Sequence, residues 1–521
     1  MSLWLFLFLS VSGTSPQASS CATYECAVSL VERGDFSPAI RALDQVLTAS
    51  PGDLKALNLL GIALTGAGRP AEANVKFREA LEKDPGFSPA RKNLAINEFN
   101  AGKHAEARRD FDQVLKTVPE DEVSHAYVGE IEFGRKAFAA AIPHYEKAGA
   151  RVAQNPLWLL DYASCLLAQH RNAPALELLE RLPNDPKLRF DAGVVLARAG
   201  AHRDAARFFG SARSGADAHA AGYNQTLMLV DAGDYDAAIA VAEDLLSHGS
   251  EAADLYNLLG RAHAKAGHVK EAYDALRAAT RLDPGNEDNY VDLTAICVDH
   301  QNYDLGLEII DIGLRYRPSS ALLHLQRGVV LAMRAELGPA EQEFDVAHRL
   351  APDQPAPYAG LAMIWMQTGQ TEKAVDVLRT EARQRKNDHV VPYIFAVALM
   401  RSGLDPTSEE AAEALDALRA SLRANPDFAP ARSELGRLLL KRDDVDGAIT
   451  ELEKAAALDS GSTAAIYNLA QAYRKKGDKT RAAELLARLS KLNAQERGDD
   501  PTADLKRMVV RIVREGSSSR P

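Results

Sequence analysis

The sequence predicts an all-α solenoid, one helical hairpin repeated along most of its 521 residues. Three observations carry that expectation. Small residues form a ladder that begins Ala39, Ala73, Ala107, Ala141, Ala175 and ends Ala414, Ala448, Ala482, and ten of its thirteen intervals are 34 residues. Apolar residues between the rungs recur three and four apart, the period of an α-helix. Glycine and proline punctuate the same phase, at Gly34, Gly68 and Gly102, at Pro51, Pro85 and Pro119, and at Pro284, Pro318 and Pro352. A fixed period of this length marks a repeat architecture.

Composition narrows the function classes. Hydrophobic residues are 46% and charged residues 26%, which supports folded structure and excludes a wholly disordered chain. With 61 basic and 72 acidic residues the formal charge is −11, which argues against general nucleic-acid binding. Past the first dozen residues no apolar run reaches the roughly 18–20 residues a membrane span needs. The four cysteines are too few for a disulfide scaffold. Cys165 and Cys297 sit in apolar helical stretches and read as core thiols. Cys21 and Cys26 could pair in an oxidising compartment.

Residues 1–20 read as an export signal. Leu3 to Leu9 is the apolar run LWLFLFL, and small residues follow at Ala18 and Ser20. No Lys or Arg precedes Arg33, so the alternatives are a buried first helix or a mis-assigned start codon. Ala18-Ser19-Ser20-Cys21 is also similar to a bacterial lipoprotein processing site. A membrane link is expected only through lipid at Cys21.

Residues 20–496 hold about fourteen units. One of them, residues 54–87, shows the physics. Leu57, Leu60, Gly61 and Leu64 make the apolar stripe of a first helix. Gly68 ends it in a tight turn. Ala73, Phe77 and Ala80 make the stripe of a second helix, and Pro85 stops the chain before the next unit. Gly61 and Ala73 let the two helices approach closely. A lone pair cannot bury both faces, so stability needs stacked neighbours. The phase slips at three units. Residues 156–185 are four short, 186–218 one short, and 389–428 carry about six extra, Leu404 to Glu409. Residues 497–521 read as a capping helix, roughly Thr502 to Glu515, and a tail. Leu505, Met508, Val509 and Ile512 form its apolar stripe.

Residues 253–286 carry the fullest form of the motif, in Tyr256, Leu259, Gly260, Gly267, Ala272, Ala279 and Pro284. The pattern resembles the tetratricopeptide repeat family. The resemblance implies a right-handed superhelical solenoid of about fourteen antiparallel pairs, with the first helix of each pair lining a concave groove. Positions five, nine and twelve of a unit would then point inward. That places Asn58, Ile62, Thr65, Lys92, Ile96 and Phe99 near the start of the groove. An apolar stretch follows: Phe190, Val194, Tyr223, Leu227, Val291, Leu325, Val329, Met363, Met366, Tyr393, Val397 and Met400. The end turns basic, with Arg437, Lys441, Arg474 and Lys475. The other reading of the apolar stretch is packing between units. The family's carboxylate clamp for acidic tails is not matched, since Ile96 stands one turn after Lys92. An asparagine ladder is partial, at Asn93, Asn224 and Asn468.

No catalytic motif for phosphate-binding loops, nucleophile elbows or zinc-binding helices occurs, and no metal, cofactor or small-molecule substrate is expected. The expected function is a non-catalytic scaffold that binds a protein or peptide in the groove, in a bacterial periplasm or envelope or secreted. The alternative is an accessory or substrate-recognition subunit of a separate enzyme such as a glycosyltransferase or protease. The alternative location is the cytoplasm.

Overall fold

The computed structural model of the protein describes residues 23–249, 252–385 and 387–495. The expected export signal and capping helix therefore lie outside the described residues, as does Cys21. The described residues hold 29 helices and no strand. With the one-turn helix Ala150–Ala153 set aside, the helices alternate as first and second members of hairpins, consistent with about fourteen units. Short turns join the members, so each packs antiparallel on its partner. The chain divides into two compact bodies, residues 1–237 and 238–521.

Local sequence fixes the ends of each helix. Asp53 caps Leu54–Gly66, its Oδ1 accepting from the backbone N–H groups of Lys55 and Ala56 at 2.9 and 3.1 Å. Asp121, Asp185, Ser320 and Ser462 do the same for later first helices. The turn inside each hairpin needs a left-handed residue. Glycine supplies it at Gly68, Gly102, Gly267 and elsewhere. At Lys136, His170, Gln301, Ala335 and Asp443 an L side chain takes that conformation instead, with φ between 56° and 69°. Such residues are disfavoured there by roughly 1–2 kcal/mol, part of which glycine would lose to its unfolded entropy. Ala335 is exposed and packs nothing away. Ala335→Gly should therefore stabilise the second body by about 0.5–1 kcal/mol in urea unfolding.

In the first body, the helices from Tyr24–Glu32 to Ala218–Asp231 build the core as an unbroken series. Ala39, Ala73, Ala107, Ala141, Ala175 and Ala205 are fully buried where second helices meet first helices. One turn on from Ala73, Ala107, Ala141 and Ala205, on the same helices, stand Phe77, Phe111, Tyr145 and Phe209, each almost fully buried. In the second body the ladder continues through Ala272, Ala340, Ala374, Ala414 and Ala448. Phe344 is the central side chain there. A Cβ on Gly328 or on Gly360 would come within 2.7 Å of its ring, so the ring lies between two bare backbones. Gly260 and Gly436 make the same close approach to Leu276 and Leu452.

The departures in phase have local outlets. The deficit in 156–185 shortens its second helix to Asn172–Glu180, and 186–218 has the short His202–Ala212. The extra residues near 404–409 lengthen the connection between Val390–Arg401 and Glu409–Ala424, with Glu409 opening the second of these helices. A fourth departure keeps the 34-residue spacing and so leaves no mark in the ladder. In residues 122–155 the second helix, Phe138–Ala148, ends at Gly149 with φ 49°, and Ala150–Ala153 forms a separate turn of helix. Cys26 is disulfide-bonded, whereas Cys165 and Cys297 are free and buried. No described helix is long and apolar enough to cross a membrane.

Candidate functional site

First helices carry the side chains expected to face inward, and three different walls result. The earliest pairs present a polar wall. Asn93 donates to Asn58 at 2.9 Å, and Asn97 donates to both Thr65 and Asn74 at 2.9 Å. Lys92 pairs with Asp121 at 2.8 Å. Asn224, further along, donates back to the carbonyl of Ala220. These amides are thus engaged within the chain, which leaves the partial asparagine ladder little to offer a peptide backbone.

An aromatic and acidic patch comes next. Phe99, Tyr127 and Trp158 meet edge to face, with ring centroids 5.0 and 5.5 Å apart. Glu130, at position nine of its unit, accepts from the Tyr145 hydroxyl at 2.7 Å. Burial pushes the Glu130 carboxyl up to about 7, and the nearby Asp161 charge adds to the rise, against the Tyr145 hydrogen bond. Burial raises Asp161 to about 6 and the Cys165 thiol to about 12. The thiol is therefore unreactive near neutral pH. The same inward-position rule that picked out Phe99 points to Glu130, at position nine of its unit, which the sequence analysis did not single out.

The expected apolar stretch splits into two kinds. Phe190, Val194, Tyr223 and Leu227 in the first body, and Val291 in the second, are half-buried. Phe190 meets Phe209 edge to face at 5.1 Å. Leu325, Val329, Met363, Met366, Tyr393, Val397 and Met400 are all buried and belong to one core cluster. The open-groove expectation is corrected at these seven positions. Large side chains on successive first helices pack in one cluster and leave little accessible surface. The basic end is also partly neutralised. Arg437 pairs with Glu434 and touches the Met400 sulfur at 3.9 Å, and Lys475 pairs with Asp443 at 2.5 Å. Lys441 and Arg474 are exposed, without an ion-pair partner among the described residues. A cleft of about 530 Å³ lies elsewhere, lined by Arg419, Arg423, Arg432 and Thr450 from two second helices and one first helix. Among the described residues no group of three or more His, Cys, Asp or Glu side chains could hold a metal ion.

Two models described as tetratricopeptide repeat match the sequence. One covers residues 24–86, 227–287 and 407–465, and the other 64–128, 132–189 and 439–500, together more than half of the chain. The chain belongs to the tetratricopeptide repeat family. The small residues, paired helices and glycine turns described above are therefore those of tetratricopeptide units. Family membership also makes protein interaction the general role of the array, because such repeats present a continuous surface built from successive first helices. Several solved structures are similar. Yeast Tom70 aligns over 95% of this chain and 94% of that chain, at 17% identity and a TM-score of 0.43. The Cut9–Hcn1 hetero-tetramer of APC/C aligns over 87% and 97%, at 13% identity and 0.37. MamA aligns over 32% of this chain and 95% of its own, at 20% identity and 0.27. No curated protein matches the sequence.

Proposed function

We propose that this protein is a non-catalytic scaffold whose first body takes an apolar or amphipathic segment of another protein. One observation carries the reading. Phe190, Val194, Tyr223 and Leu227 stand at the family's inward positions and remain half-buried, so they keep apolar area that a ligand could cover. An amphipathic helix is the occupant with the right shape, setting its apolar face against the row. The polar wall before the row and its aromatic neighbours give one end of such a segment hydrogen-bonding and ring contacts.

The test uses a peptide selected by display on the full chain. Leu227→Glu should weaken that peptide's binding about tenfold or more while the chain stays folded, at a stability cost of about 1 kcal/mol because Leu227 is half-buried against the core. Val75 is 57% exposed on a second helix. Val75→Glu should leave binding and stability unchanged. Equal binding by all three proteins would remove the first body's row from consideration.

The location we propose is outside the reducing cytoplasm, in a periplasm or envelope or secreted. The disulfide at Cys26 supports it, because such bonds persist in oxidising compartments. With Cys165 and Cys297 free, Cys21 is the remaining cysteine of the chain, and a disulfide there would leave no thiol for lipid. N-terminal sequencing of the protein from its source checks this. A mature start between Ala18 and Cys21 agrees; an intact Met1 in the soluble cytosol contradicts it.

A further inference from the structure

One position of the repeat carries an arginine through five successive units of the second body. Nine residues after the ladder residues Ala272, Gly306, Ala340, Ala374 and Ala414 stand Arg281, Arg315, Arg349, Arg383 and Arg423. Each lies in the last turn of a second helix, and each is exposed. Earlier units are basic at that position only at Lys116, with residues such as Glu82, Ser214 and Ser247 in its place elsewhere. A cation near a helix C-terminus complements the helix dipole. That role does not account for the row, because Phe36–Ala49, Asn172–Glu180 and Val445–Leu458 end without a base.

The chain itself makes little use of these charges. Arg281, Arg315 and Arg423 have no side-chain partner among the described residues. Arg349 meets Asp345 at 3.2 Å and Arg383 meets Glu413 at 3.7 Å, and such pairs of exposed cations are worth little in water. An apolar side chain follows each of the first three arginines: Leu282, Tyr316 and Leu350 are 47%, 58% and 41% exposed. The last arginine of the row, Arg423, also lines the cleft of about 530 Å³. Within that cleft Arg432 is paired with Glu451, whereas Arg419 meets only the exposed Asp416, at 3.8 Å.

We infer that the arginine row binds an extended acidic segment of another protein, laid across the ends of the second helices with one carboxylate entering the cleft on Arg419 and Arg423. Charge complementarity selects the occupant. Packed helices lie about 8–10 Å apart, and an extended chain advances about 3.3 Å per residue. A carboxylate at every third or fourth residue therefore keeps step with one arginine per unit. Apolar residues between the acids cover Leu282, Tyr316 and Leu350, which a purely ionic ligand leaves in water. A nucleic acid or an anionic bilayer presents dense negative charge to the whole chain, and the chain's own −11 opposes both. A short acidic segment meets only the row. The inference does not depend on the first body's apolar row, which lies on first helices.

The experiment measures fluorescence anisotropy of a labelled peptide of about twenty residues, enough to span the row, built from Glu-Leu-Ser repeats. The full chain should bind it at low salt and lose it as salt rises. The same peptide with Gln for Glu should not bind. Arg281→Gln/Arg315→Gln/Arg423→Gln should weaken binding about tenfold. Arg41→Gln/Arg109→Gln/Arg198→Gln removes the same charge from exposed sites of the first body and should leave binding within about twofold of the native chain. Both variants change only exposed side chains, so both should stay folded. No binding by the native chain at low salt overturns the inference. Equal weakening by the two variants overturns it too, since net charge alone would then attract the peptide. Row-dependent capture of phosphatidylserine vesicles or of single-stranded RNA, without row-dependent binding of the peptide, would assign the row to that other partner and overturn it as well.

Discussion

Phe344→Ala should destabilise the second body by about 3–5 kcal/mol, the largest effect expected of any single truncation in that body. The ring is 1% exposed and lies between Gly328 and Gly360, whose missing Cβ atoms make room for it. Removing it leaves a cavity that two stiff helical backbones cannot close. Because each unit contacts chiefly its neighbours, the loss should be local. Hydrogen exchange should accelerate between about residues 321 and 400 and stay unchanged before residue 237. Uniform acceleration along the whole chain would contradict a one-dimensional array. Gly328→Ala with Phe344 retained should also destabilise, since the new Cβ would stand 2.7 Å from the ring.

Glu130→Gln should stabilise the first body above neutral pH and leave it nearly unchanged near pH 4. Folding holds the Glu130 carboxyl at about 7 against an ordinary 4.5. Between those values the unfolded chain releases a proton that the folded chain keeps. Stability therefore falls as pH rises through this window and levels off above about 7. The full difference corresponds to about 3 kcal/mol, shared with the neighbouring Asp161. Glutamine keeps an acceptor for the Tyr145 hydroxyl and carries no proton to lose. The variant should gain about 1–3 kcal/mol at pH 8 in urea unfolding, and little at pH 4. His144 works in the opposite sense. Burial first, then the charges of His125 and Arg108, lower it to about 4, so the unfolded chain takes up a proton that the folded chain refuses, and stability falls as pH drops from the ordinary 6.5 toward 4. The variant shares that limb with the native chain, and the difference between the two isolates Glu130. Equal pH profiles would mean that Glu130 is solvated in the folded chain.

The helical pairs were legible because their causes are periodic. A small residue is needed wherever a second helix crosses a first, and a left-handed residue at each hairpin turn, so Ala73, Ala272 and Gly267 repeat in phase. The slips at 156–185, 186–218 and 389–428 were legible for the same reason, since each displaces the ladder. Gly149 and the extra turn Ala150–Ala153 displace nothing, and stayed hidden. The wall was legible as positions and not as exposure. Periodicity says that Leu227 and Val397 point the same way. It does not say that Leu227 is half-open and Val397 buried, because that depends on how far the side chains of neighbouring helices reach. Glu130 was hidden by a similar limit. Its raised carboxyl comes from burial and from Asp161 in the next unit, which spacing within a single unit does not show.

Hydrogen exchange of the full chain with and without a saturating display-selected peptide tests the scaffold reading most directly. The account predicts new protection in Pro186–Arg198 and Ala218–Asp231, the first helices that carry Phe190, Val194, Tyr223 and Leu227. The second helix between them, His202–Ala212, should change little. Protection confined to second helices, with these two first helices unchanged, would contradict it.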